Sequence, residues 1–275
     1  MQKRAENGFG KRVKTMLAAD VRRAFTTPLL YIMIGCALVA PILILVMTAM
    51  MDGTTSTDVN GNVTTMEGFK NVWQIISSVA GGTATGTETD AAMGGMSLTA
   101  MCNINLVYFA VAVFVCLFIS EEFRSGYAKN LFAVRAKKTD YVFSKTVIGC
   151  IAGAGMIVAF FIGSMIGGGI AGISFGLAEL GVNVGEVALC LLTKVLLVSV
   201  FIAIFVLMSV IAKQKAWLSI LLSLGVGMFL FMMIPMMTPL NGTMMNVLLC
   251  LAGGGMFTVG LGVVSVKILQ KTALV

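Results

Sequence analysis

Six stretches of the chain stay apolar for long enough to cross a bilayer, which takes about 20 residues per helix. They lie near 29–51, 98–120, 144–172, 187–211, 216–237 and 244–266. The first reads as an uncleaved span, because no small-residue cleavage site follows it. The third carries Gly149, Gly153, Gly163, Gly167 and Gly168. Two pairs among these fit G-x-x-x-G, which predicts close helix contact, either within the chain or between copies. The length of this stretch leaves room for tilt, unwinding or extension beyond the bilayer.

The segments between the spans have patterns of their own. Within residues 1–28, Phe9, Val13, Met16, Leu17, Val21 and Phe25 recur at helical spacing, with Arg12, Lys14, Arg22 and Arg23 among them. This predicts an amphipathic elbow helix in the membrane interface, its basic face toward lipid headgroups. Thr26-Thr27-Pro28 ends it, with Thr27 as a cap and Pro28 opening the next helix. Residues 52–97 are rich in Thr, Gly, Ser and Asp and predict an outer loop with one short helix near 66–79. Pro235 and Pro239 interrupt the fifth span's outer end among Met228, Met232, Met233, Met236 and Met237. A short re-entrant piece there, with a compliant methionine lining, is one reading, and plain packing is the other.

Composition sets the class. The chain of 275 residues is 58% hydrophobic and 11% charged, with a mean hydropathy of +0.99, against about 25% charged residues in soluble domains. The net charge of +7 is topological. Every Lys and Arg except Lys70 and Lys194 falls on the N-terminal segment, the 121–145 loop, the 212–215 loop or the tail. The alternate loops hold Asp52, Asp58, Glu67, Glu88, Asp90, Glu179 and Glu186. Cytoplasmic loops carry the Lys/Arg excess, so both termini and the 121–145 loop are expected in the cytoplasm, and nucleic acid is excluded as the reason for the charge. The fold class is an all-α membrane protein: six transmembrane helices behind an N-terminal interfacial amphipathic helix.

Catalytic chemistry is not visible. The chain has no histidine, which removes the usual zinc sites and His proton relays. Its six cysteines lie in apolar runs without a CxxC pair, as buried small hydrophobes do. No G-x-x-x-x-G-K-[ST] occurs, so the chain has no phosphate cradle, and an enzyme in its own right is not expected. One charge interrupts a span. Lys194 either snorkels toward the outer interface or faces a cavity, with Glu186 on a similar face. With Met232 and Met236 it is a candidate for the substrate pathway.

The densest polar segment, "EEFRSGYAKNLFAVRAKKTD" at 121–140, separates the second and third spans. Phe123, Tyr127 and Leu131 are spaced to share one helical face. Residues 121–132 therefore predict a short amphipathic helix against the inner face, and Thr139-Asp140 can start the next helix.

This order of parts resembles the permease subunit of a type-2 ATP-binding-cassette exporter, with its E-[YF]-[RK]-x-G-[TS]-x-K-N coupling segment. Glu122, Phe123, Arg124, Gly126, Lys129, Asn130 and Lys145 match position by position, while Tyr127 stands where Thr or Ser is usual. It is most similar to the small permeases of peptide-antibiotic immunity or export. The resemblance implies a bacterial plasma-membrane location and a second permease chain, alike or different. It implies separate ATPase subunits that bind ATP and Mg and receive a coupling helix at 121–132, with outward movement of an amphipathic peptide, lipid or drug. A non-transporting sensor or scaffold using the 52–97 outer loop is the alternative.

Overall fold

The computed structural model describes residues 9–51, 55–57, 63–65, 71–77, 103–134, 137–177, 182–231 and 243–271. Helix α1 (Phe9–Thr26) leads into α2 (Pro28–Met51). Thr27 Oγ1 donates to the Arg23 carbonyl at 2.7 Å, so Thr27 closes α1 rather than capping α2. A ribbon of strands β1 (Thr55–Thr57) and β2 (Val63–Thr65), paired antiparallel, and helix α3 (Val72–Ser77) follow. A 3-10 turn at Ile104–Leu106 opens α4 (Val107–Arg124). Then come α5 (Tyr127–Val134), α6 (Lys138–Ala171), α7 (Val184–Ala212), α8 (Ala216–Phe231) and α9 (Met244–Lys271).

Among the described residues, five helices are long and apolar enough to cross a membrane: α2, the 104–124 run, α6, α7 and α9. Of the expected fifth span at 216–237, α8 covers 16 residues, short of the ~20 that crossing needs. Its expected continuation, with Met232, Met236, Pro235 and Pro239, lies outside the described residues. The third apolar stretch starts at Lys138 rather than 144 and runs unbroken to Ala171. Its charged first turns stay helical because partners on other helices neutralise them.

The described parts of the 52–97 segment are more than a loop. The β1–β2 ribbon has no counterpart in the sequence reading, since runs of Thr and Ser carry no alternating apolar face. Helix α3 does fall inside the expected 66–79 window. Val72, Trp73 and Ile76 are fully buried. Trp73 meets Phe161 and Phe175 edge-on, each at 6.3 Å. The Asn71 amide donates to the Gly176 carbonyl at 2.6 Å, which pins α3 to the segment after α6.

Glycine sets how closely the helices approach. A Cβ on Gly163 would overlap the Leu38 carbonyl oxygen, and one on Gly167 would lie 2.8 Å from the Ile42 Cα. The backbone of α2 around its internal Pro41 therefore rests directly on α6. Gly149 and Gly153 make room for the side chains of Ile202 and Val198 of α7. Both G-x-x-x-G pairs serve packing within the chain. Helix α6 touches the most neighbours, α1, α2, α3, α4, α7 and α9, while α7 packs against α4, α6, α8 and α9. By contrast, α9 turns Leu248, Met256, Val259 and Val263 outward.

Candidate functional site

Among the described residues, the corner between α4 and α6 gathers most of the buried charge. Helix α4 stops at Arg124, where the Ser125 amide donates to the Glu121 carbonyl at 2.8 Å. Gly126 follows at φ +74°, a left-handed conformation that glycine adopts without a Cβ penalty. The chain turns there and α5 begins. The single helix expected over 121–132 is thus two helices. Phe123 belongs to α4, is buried, and meets Tyr141 edge-on at 6.2 Å. Phe123, Tyr127 and Leu131 do not form one exposed face.

Helix α5 is held from its inner side. Ala128 is buried, Leu131 and Phe132 are half-buried, and Phe132 meets Tyr141 at 5.2 Å. Lys129, Asn130 and Ala133 point outward, and Arg124 at the end of α4 is exposed beside Glu121. Tyr127 is 36% exposed, with the Arg23 guanidinium 5.0 Å from its ring centre. Partial burial, then the nearby Asp20 and Glu122 carboxylates, push the Tyr127 phenol's pKa up, so it remains a neutral hydroxyl.

Beneath α5 sits a quartet of two carboxylates and two cations. Lys145 of α6 donates to Asp20 Oδ1 at 2.7 Å and to Glu122 Oε1 at 2.5 Å. Arg23 of α1 donates to the same Glu122 oxygen. Tyr141 Oη donates to Glu122 Oε2 at 2.7 Å, and Ser144 Oγ to Asp20 Oδ2 at 2.6 Å. The Lys145, Asp20 and Glu122 side chains are essentially inaccessible. Lys145 Nζ also lies 4.9 Å from the Phe118 ring centre and 5.1 Å from that of Tyr141. Three of these charges are removed from water and Arg23 is only partly so; burying an ion costs several kcal/mol, roughly, and is offset only where geometry and hydrogen bonds are complete. Here each carboxylate oxygen of the quartet has a donor and the charges balance.

Two further ties reach the same corner. Arg12 Nε donates to Asp140 Oδ2 at 3.1 Å, so Asp140 engages α1 from the first turn of α6. Lys138 Nζ donates to the Leu269 carbonyl at 2.8 Å, where a cation suits the C-terminal end of α9. The expectation for α1 changes accordingly. Arg12 and Arg23 reach inward to carboxylates, and Asp20 shares the buried stripe with Val13, Met16 and Ala24. Lys11, Lys14 and Arg22 stay at the surface.

Lys194 does not snorkel. It is 2% exposed, and its ammonium donates to Asn105 Oδ1 at 2.8 Å. Tyr108 Oη donates to the Lys194 carbonyl at 3.1 Å. Glu186 is occupied elsewhere: it forms a capping box with Asn183, accepting from that residue's amide at 3.2 Å. The structure thus brings Glu122, Phe123, Tyr127, Leu131 and Lys145 to one corner, with Arg124, Gly126, Lys129 and Asn130 on its surface. It places Lys194 apart from them. Asp20, Arg23, Tyr141, Ser144, Phe132 and Asn105 complete these clusters without having been singled out in the sequence as site residues. The signal for Asp20 was available, because a lone acid on an apolar helical stripe needs a buried partner.

No curated protein and no solved structure matches the chain. Residues 26–230 do match the family described as ABC-2 family transporter protein. That match spans α2 through nearly all of α8 and contains the whole α4–α5–α6 corner. The chain therefore belongs to the ABC-2 transporters, as a multi-pass membrane permease of an ATP-binding-cassette system.

Proposed function

We propose that this permease moves an amphipathic peptide, lipid or drug outward, with energy from separate ATPase subunits that bind ATP and Mg and dock on α5. The observation that carries this reading is the two-sided character of α5. Its inner side is locked to α4 and α6 through Phe132, Tyr141 and the quartet, while Lys129 and Asn130 stand free on the other side. A partner that pushes on the free side displaces α4 and α6 together. The basic residues at this end support a cytoplasmic corner and cytoplasmic termini, in a bacterial plasma membrane.

Outward direction rests on the resemblance to type-2 exporters. Lys194 is proposed as a pathway residue, closed off in this state. A fifth span completed beyond Phe231, making six in all, with α1 lying in the inner interface, belongs to the same reading. The apolar outward faces of α2 and α9 fit lipid and a second permease chain.

The test is co-purification in mild detergent. Lys129→Glu combined with Asn130→Glu is expected to reduce the retained ATPase at least tenfold. The unfolding midpoint should stay within about 1–2 °C, because surface substitutions change stability by roughly 0.5 kcal/mol or less. Full retention of the ATPase removes α5 as its docking site. Absence of any ATPase from the wild-type complex favours the sensor or scaffold instead.

A further inference from the structure

Helices α4 and α8 meet along a line of small polar groups. Cys116 and Ser120 lie one turn apart on α4, as Ser219 and Ser223 do on α8, and all four are buried. Cys116 Sγ donates to Ser223 Oγ at 3.1 Å. The chain reverses direction at α6, α7 and α8, so α4 and α8 run antiparallel. One turn along from the Cys116–Ser223 pair, Ser120 therefore comes opposite Ser219.

Ser219 is already engaged. Its Oγ lies 2.8 Å from Ser209 Oγ on α7, and Ser209 gives its own proton to the Phe205 carbonyl at 2.7 Å. Ser219 is therefore the donor in the pair. Ser120 Oγ is buried and has no hydrogen-bond partner among the described residues. Buried helical hydroxyls without another partner can return their proton to the carbonyl four residues back, as Ser164 and Ser265 do. Ser120 does not. A buried hydroxyl left unpaired loses its hydration without compensation, and such groups call for an explanation.

We propose that Ser219 changes partners during the transport cycle. It is bound to Ser209 of α7 in this state and to Ser120 of α4 in a second one. Ser120 is then a positioning residue that sets α4 against α8. It stands two residues before Glu122, so a displacement of the corner reaches it within one helical turn. Tightly packed helices change by jumps between discrete arrangements, and two hydroxyls competing for a third provide two. This inference rests on the reading that an ATPase drives the corner.

The experiment uses the permease–ATPase complex in proteoliposomes. Ser120→Ala removes the unpaired hydroxyl, so the unfolding midpoint of the purified permease is expected to rise by about 2–4 °C. ATP turnover by the complex is expected to fall at least threefold, because the second state loses its bond. A purely structural role would move both in the same direction. Ser209→Ala removes the competitor and is expected to lower the midpoint while keeping ATP turnover. In a Cys116→Ala background, Ser120→Cys with Ser219→Cys is expected to cross-link at least fivefold more after trapping with ATP and vanadate than without nucleotide. Unchanged turnover in Ser120→Ala, or equal cross-linking in both conditions, overturns the exchange and leaves the ATPase-coupling reading intact. A wild-type complex that fails to hydrolyse ATP overturns both.

Discussion

Lys145→Met is expected to lower the permease's unfolding midpoint by about 6–20 °C. That range follows from about 3–5 kcal/mol for removing one partner of a buried ion pair, at roughly 2–4 °C per kcal/mol. The substitution leaves Asp20 and Glu122, both inaccessible and both within bonding reach of the same ammonium. Arg23 remains, but it is partly exposed and contacts only Glu122 of the two carboxylates. The site passes from electrical balance to one excess negative charge in a low-dielectric setting. Adding Glu122→Gln restores the balance, so the double variant is expected to recover several degrees. That recovery is the coupling signature of a unit rather than of independent contacts. A Lys145→Met protein that melts within a degree of the wild type means the quartet holds nothing together.

Gly163→Ala is the second large effect, and it comes from space alone. The added Cβ falls on the Leu38 carbonyl oxygen and 3.0 Å from Pro41 Cγ. A backbone oxygen cannot swing aside as a side chain can, so α2 has to move off α6 along its contact. Overpacking of this kind costs about 1–3 kcal/mol, occasionally more. The expected result is a midpoint lower by roughly 2–12 °C and a reduced yield of folded protein. Gly169→Ala is the control, because a Cβ there meets nothing within 4 Å. If both variants melt alike, the close approach of α2 and α6 is not what Gly163 provides.

The sequence and the structure agree where one physical constraint dominates. A bilayer fixes the length of an apolar run, so α2, α6, α7 and α9 could be read directly. Their flanking charges could be read too, because 121–140 has no apolar periodicity long enough to cross. What was not legible depends on pairing across distance. The sequence shows Asp20, Glu122 and Lys145, but nothing local says that residues 125 and 23 positions apart meet. The apolar positions of α1 include Leu17 and Val21, whereas the buried line runs Val13, Met16, Asp20, Ala24. Both stripes fit a 3.6-residue period, and only the neighbouring helices select between them. Gly126 was a missed local sign. A glycine directly after Ser125 is what a helix end calls for, and a continuous 121–132 helix passed over it.

Helix α6 has a consequence for the membrane itself. Its 34 residues extend about 51 Å at 1.5 Å per residue, against a hydrocarbon core of about 30 Å. Tilt takes up part of the surplus and protrusion the rest. The two ends of this one rod, the Lys145 quartet and the seat of Trp73, are thereby pressed toward opposite headgroup layers. A thicker bilayer stands α6 more upright and a thinner one lays it down. Lipid thickness is thus a variable that acts on the ion-paired corner and on the α3 anchor at the same time.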